Sequence, residues 1–138
     1  MLEKIERKNE YFLYTFISIK MPKKFVFPTL HPLEKRQEES ARICKKYPDR
    51  IPLIIEPADN APAIDKNKYL VPKELTFGQL KFVVRKRTKL VPEQALFFFI
   101  DGSIIPADSS LIGQLFDKNK NVDGFLYIQY TLENTFGG

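Results

Sequence analysis

The chain reads as an α+β protein in which a four-stranded sheet is crossed by one main helix. Three observations carry that reading. The segment LTFGQLKFVVRKRTKL spaces its apolar residues at the helical period. The runs RIPLIIEP, KYLVP, ALFFFI and GFLYIQYTL are rich in β-branched and aromatic residues and are bounded by proline or turn residues. Their order, two strands, a helix, a strand, a short helix and a last strand, lets one layer of helix cover one layer of sheet.

Composition bounds the rest. The chain has 138 residues, 43% hydrophobic and 28% charged, near the average of folded domains. That length suits one domain, able to bury about two thirds of the surface its unfolded chain exposes. The net charge of +5 favours acidic partners, anionic lipid or nucleic acid without choosing among them. A single Cys44 excludes an internal disulfide and leans toward a reducing, cytosolic setting. One His and one Cys cannot close a zinc site of the Cys/His kind.

Residues 1–24 differ in character from the rest of the chain, with a charged start, the run YFLYTFISI from Tyr11 to Ile19, and then KMPKK. They read as an extension, strand-forming or flexible, with Met21 as an alternative start. The run falls well short of the about 20 residues that cross a bilayer as a helix. The mixed charges of MLEKIERK, with no small-residue cleavage site after the run, argue against a signal peptide.

From Pro32, PLEKRQEESARICKKYP places proline at a helix start, acids early and lysines late, with Leu33, Ser40, Ala41, Cys44 and Tyr47 on one face and Pro48 as the stop. RIPLIIEP and KYLVP are close enough in the chain to form a hairpin. In the next helix Thr76 and Gln79 stand at capping-box spacing, with Phe77, Leu80, Val83 and Val84 on one face. Asp101-Gly102 breaks the strand ALFFFI, a short helix starts at Asp108 or Ser109, and GFLYIQYTL is the last strand. This is the ubiquitin-like, or β-grasp, order. The chain leaves the sheet from its last strand, so the closing ENTFGG would project freely.

Nothing in the chain assembles catalysis: nothing orients His31 and Cys44 as base and nucleophile. DKNKNVDG opens like a calcium loop, but Val122 stands where the turn glycine belongs and Ile128 where the bidentate glutamate belongs. No metal, cofactor or enzymatic activity is expected. By periodicity alone, Phe77, Leu80, Val83 and Val84 are core and VVRKRTK is a solvated basic face.

HPLEKRQEESARICKKYPDRIPLIIE, KYLVP, LTFGQLKFVVRKR, ALFFFI and FLYIQYTLENTFGG together resemble the autophagy-related protein 8 family, which includes GABARAP and the microtubule-associated light chain 3 proteins. The resemblance covers about residues 25 to 138. It implies a ubiquitin-like domain over 25–136 with two added helices between about Phe25 and Tyr47, and a conjugation tail at 137–138. It implies no catalysis by the chain itself. A processing cysteine protease would expose Gly137, directly after Phe136, by removing Gly138, although the second glycine leaves either carboxylate open as the activated one. Activating and conjugating enzymes would carry the glycine as a thioester and pass it to phosphatidylethanolamine. The protein would then move from the cytoplasm to the autophagosome membrane.

The resemblance also implies a groove for cargo receptors and adaptors, in which a peptide with an aromatic, two variable residues and an aliphatic adds as a strand to the sheet edge. The aromatic pocket corresponds to Glu39, Ile43, Pro52, Ile54, Lys68, Leu70 and Phe125, and the aliphatic pocket to Tyr69, Val71, Pro72, Leu75, Leu80, Val83 and Val84. Lys68, Tyr69, Leu70 and Val71 would supply the edge backbone. Leu80 stands where relatives often carry phenylalanine. Arg85, Lys86 and Arg87, with Lys66 and Lys68, would attract acidic flanks. Tyr14 with Ile17, or Phe16 with Ile19, shows the same spacing within the extension, which would then dock in its own groove or a neighbour's. No nucleic acid is expected; the alternative is an unconjugated basic domain binding anionic membrane or nucleic acid.

Overall fold

The computed structural model describes residues 25–58, 61–88, 95–101 and 104–132. The extension 1–24 and the tail with Gly137 and Gly138 lie outside the described residues. In chain order the elements are α1 (Phe27–Leu30), α2 (Leu33–Lys46), β1 (Arg50–Pro57), β2 (Lys68–Pro72), α3 (Phe77–Arg87), β3 (Leu96–Ile100), α4 (Ile112–Asn119) and β4 (Leu126–Leu132). The two helices before the first strand match the expected addition to a β-grasp.

The sheet runs β2-β1-β4-β3. β1 and β4 lie parallel at its centre, with Leu53 opposite Leu126 and Ile55 opposite Ile128. Both are buried along almost their whole length, as continuous apolar strands should be when covered on two faces. β2 returns antiparallel beside β1, the expected hairpin, and β3 antiparallel beside β4. Alternation along these strands divides the core in two. Ile51, Leu53, Ile55, Val71, Leu126, Ile128 and Tyr130 pack with Phe77, Leu80 and Val84 of α3 and with α4. On the opposite face Ile54, Phe125 and Tyr127 pack with Phe27 of α1, Phe25 and Ile43. Fully burying one such side chain contributes about 1.5–3 kcal/mol.

α3 begins with the expected capping box: Gln79 N donates to Thr76 Oγ1 at 3.1 Å, and Thr76 N donates to Gln79 Oε1 at 2.9 Å. Phe77, Leu80 and Val84 are buried, whereas Val83 is 37% exposed at the rim. α4 starts at Ile112, later than Asp108 or Ser109. The reason is that those residues serve another helix. Phe77 N donates to Ser110 O at 2.8 Å and Gly78 N to Asp108 O at 3.0 Å, so the 108–110 turn satisfies the free N–H groups at the start of α3.

The inward face of α2 also differs from the one expected. Of Leu33, Ser40, Ala41, Cys44 and Tyr47 only Ser40 is buried, with Cys44 half-buried and Leu33 and Tyr47 exposed. Polar anchors set the rotation of this helix. Ser40 Oγ donates to Asp123 O, and Arg36 Nη1 donates to Asp123 Oδ2 at 2.7 Å. Gly124 has φ +89°, and a Cβ there would overlap Ser40 Oγ, so glycine permits this close approach. α1 is held by a carboxylate. Glu56, buried on β1, accepts from Val26 N at 2.8 Å and from Phe27 N at 2.9 Å.

Two buried phenols give the fold an alkaline limit. Tyr127 is pushed far above the usual tyrosine range by desolvation and by its hydrogen bond to Asp123, and Tyr130 by desolvation and by neighbouring Tyr69. Because the folded values are raised, their contribution is complete below the unfolded pKa near 10 and is lost as pH rises toward the folded values. Urea unfolding from pH 9 to 12 should show stability falling by up to about 1.4 kcal/mol per pH unit for each phenol, with Tyr130→Phe removing its share of that slope.

Candidate functional site

The site begins with a strand edge. Ile55 N donates to Asn67 O at 2.8 Å, and the register continues in steps of two through Leu53 opposite Tyr69 to Ile51 opposite Val71. In an antiparallel pair, residues that exchange hydrogen bonds alternate with residues whose backbone groups point away. Tyr69 and Val71 therefore turn their backbone groups to β1, and Lys68 and Leu70 turn theirs outward. Among the described residues the sheet ends at β2. The outward row is thus an unpaired edge, and at Pro72 it lacks a donor.

The side chains beside this edge fall on two faces. On the α1/α2 side, Lys68 Nζ pairs with Glu39 Oε2 at 2.6 Å and lies 5.3 Å from the Phe27 ring centre. The Phe27 ring meets Phe125 edge-on at 5.5 Å, and Ile43 packs on the cluster that holds Phe27, Ile54 and Phe125. Glu39, Ile43, Ile54, Lys68 and Phe125 are thereby brought together, and alternation carries Pro52 and Leu70 to the same face. The half-exposed Lys68–Glu39 pair adds little stability, so it orients a lysine rather than holding the fold.

On the α3 side, Tyr69 and Leu75 pack against the cluster that contains Val71, Leu80 and Val84. Leu80 and Val84 are fully buried there and Val83 is exposed, whereas Pro72, expected with this pocket, falls by alternation on the other face with Lys68 and Leu70. Tyr69 Oη is buried without a hydrogen-bond partner among the described residues, and desolvation pushes its phenol up.

The basic residues do not form one patch. Arg87 Nη1 is 3.1 Å from Asp65 Oδ2, and with Lys86, Val83 and Thr88 it borders a depression of about 610 Å³. Arg85 faces a different hollow with Lys81, Phe82 and Leu96. Lys66 is exposed in the loop before β2. A wider cleft of about 1000 Å³ lies elsewhere, between α2 and α4, and none of the expected pocket residues lines it.

Phe27 is part of the aromatic side although the sequence did not single it out. It stands in a four-residue helix, too short for any period to reveal its face. Asp123, the last acid of the rejected calcium stretch, is an internal anchor: fully buried, it accepts from Arg36, from the Tyr127 hydroxyl and from Phe125 N at 2.9 Å. His31 rests against Phe27 at one end of α2 and Cys44 sits near the other, about 20 Å away at the helical rise. They do not form a pair.

With this geometry established, comparison with known proteins shows close relatives. A family described as "Autophagy protein Atg8 ubiquitin like" matches residues 35–137. Autophagy-related protein 8A of Oryza sativa subsp. indica is 56% identical over 113 residues, covering 80% of this chain and 94% of the relative. Autophagy-related protein 8 of Mycosarcoma maydis is 52% identical over 113 residues, with 80% and 95% covered. The crystal structure of Trypanosoma brucei ATG8 superposes with a TM-score of 0.75 at 38% identity, over 83% of this chain and 100% of that one.

The anchor under the aromatic side is testable. Arg36→Met leaves the Asp123 carboxylate buried without its cation, and urea unfolding should show a loss of about 3–5 kcal/mol. Asp123→Asn with Arg36→Met should recover part of it, because the uncompensated charge is then gone.

Proposed function

Because this chain belongs to the Atg8 family of ubiquitin-like autophagy proteins, we propose that it is a modifier joined through Gly137 to phosphatidylethanolamine and that it recruits partners to the autophagosome membrane. The chain is a substrate throughout. A cysteine protease removes Gly138, and activating and conjugating enzymes carry Gly137 as a thioester. The lipid amine then attacks the thioester carbonyl, an amide forms and the enzyme thiol leaves. Glycine suits both the narrow enzyme channel and the unhindered carbonyl that this step requires.

No helix among the described residues is long and apolar enough to cross a membrane. Two acyl chains attached covalently supply what such a helix otherwise would, since stable anchoring takes two lipid signals. Residues 25–136 act as the domain, 137–138 as its conjugation tail and 1–24 as an extension. The unlipidated form is cytoplasmic.

The observation that carries the adaptor reading is the edge of β2, where Tyr69 and Val71 pack into the α3 cluster and Lys68, on the other face, stands over Phe27 of the second cluster. A peptide added there is extended, and its successive side chains alternate between faces. Residues three apart point to opposite faces, so an aromatic followed three positions later by an aliphatic supplies one anchor to each side. Glu39, Ile43, Pro52, Ile54, Lys68, Leu70 and Phe125 receive the aromatic. Tyr69, Val71, Leu75, Leu80, Val83 and Val84 receive the aliphatic, and Pro72 ends the edge. Lys66, Arg85, Lys86 and Arg87 draw acidic flanks from either side.

Two measurements test this reading. A peptide with aromatic-x-x-aliphatic spacing should bind at least about tenfold more tightly than the same residues spaced two apart, because the shorter spacing sends both anchors to one face. Equal affinities would remove the groove. Intact mass of protein from membrane and soluble fractions should show the phosphatidylethanolamine adduct on Gly137 and loss of one glycine, and Gly137→Ala should abolish the adduct while leaving thermal unfolding unchanged. An unmodified mass in both fractions would instead favour an unconjugated basic binding domain.

A further inference from the structure

The outward row of Lys68 and Leu70 has no partner strand among the described residues, and the first described residues lie across the α1/α2 face of the same sheet, with Phe27 beside Lys68. Val26 and Phe27 are tied to Glu56, the Phe25 ring meets Tyr127 at 4.9 Å, and Phe27 lies 5.3 Å from Lys68 Nζ at the start of β2. Upstream stands Tyr11–Ile19, a run dense in residues that favour strands. Written as a strand, it sends Phe12, Tyr14 and Phe16 to one face and Leu13, Ile17 and Ile19, with Tyr11 and Thr15, to the other. One face is aromatic and the other largely aliphatic, the same division that the two sides of β2 present.

We propose that Tyr11–Ile19 of the same molecule adds as a fifth strand to the free edge of β2, with its aromatic face toward α1 and α2 and its aliphatic face toward α3. The inference rests on the reading of that edge as a peptide groove, and it makes the extension a competitor of outside peptides. The link is long enough. The six residues from Ile19 to Phe25 reach about 20 Å when extended. Phe25 rests on β4, three strand spacings or about 14 Å from a strand added beyond β2, so the link spans that distance when Ile19 lies at the Lys68 end and the added strand runs antiparallel to β2. A segment tethered at this distance meets the groove at an effective concentration near the millimolar range, enough to oppose ligands of moderate affinity.

The test compares the full chain with a full-length variant carrying Tyr14→Ser, Phe16→Ser, Ile17→Ser and Ile19→Ser, by residue-resolved amide hydrogen exchange. The amides of Lys68 and Leu70 should exchange at least tenfold faster in the variant. Those of Tyr69 and Val71, bonded to β1, should not change, which separates loss of the added strand from loss of the fold. Equal rates at Lys68 and Leu70 in both proteins would overturn the proposal. A synthetic aromatic-x-x-aliphatic peptide should bind the variant about tenfold more tightly than the native chain. Equal binding to both would overturn the competition while leaving the groove intact. Binding to neither would overturn the groove itself, and the exchange comparison would still decide the strand. Protection that grows with protein concentration would assign the strand to a second copy and overturn the intramolecular form.

Discussion

β1 and β4 are apolar on both faces, and a sheet centre of that kind requires a cover on each side. The rest of the structure answers this constraint. A β-grasp order supplies one cover, α3 with α4, over Ile51, Leu53, Ile55, Leu126 and Ile128. Ile54, Phe125 and Tyr127 would otherwise face water. Their cover is the N-terminal pair α1 and α2, and it explains why those helices are there.

The two-sided cover also gives the edge two unlike sides. β2 has only five residues, and no strand lies beyond it among those described. Its outward backbone groups offer hydrogen bonds to any extended chain, while Tyr69 and Val71 pack into the α3 core and Lys68 on the other face stands over Phe27. Backbone pairing alone would accept almost any extended sequence. In an extended chain paired there, residues an odd number apart would fall on opposite faces.

The two covers are attached by different physics. α3 is held mainly by apolar burial of Phe77, Leu80 and Val84, after a capping box and the 108–110 turn satisfy its first N–H groups. α1 and α2 are positioned by polar groups: Glu56 on the backbone of residues 26 and 27, Arg36 on Asp123, and Ser40 on the Asp123 carbonyl. Charge-assisted hydrogen bonds depend on geometry more than apolar contact does, so they set a helix rotation that hydrophobic matching would leave loose. This determines where Glu39 stands, and with it the Lys68 ammonium at the aromatic side.

That difference in attachment governs how much was legible in the sequence. Strand alternation, proline boundaries and the Thr76–Gln79 box are local signals, and they identified the sheet, the hairpin and α3 because local geometry alone produces them. The motif run from HPLEKR to ENTFGG identified the family for the same reason, being a property of residue order. The inward face of α2 was not legible: its determinants are an arginine and a serine whose partner, Asp123, lies more than eighty positions away. The start of α4 was missed because Asp108 and Ser110 cap a helix that precedes them in the chain. Phe27 joined the aromatic side only through contact with Lys68 and Phe125. The sequence by itself determined which segments are strands and helices and which family they compose. Only the tertiary structure decided which backbone groups of β2 face outward and which side chains flank them, because register and helix rotation are set by contacts between residues distant in the chain.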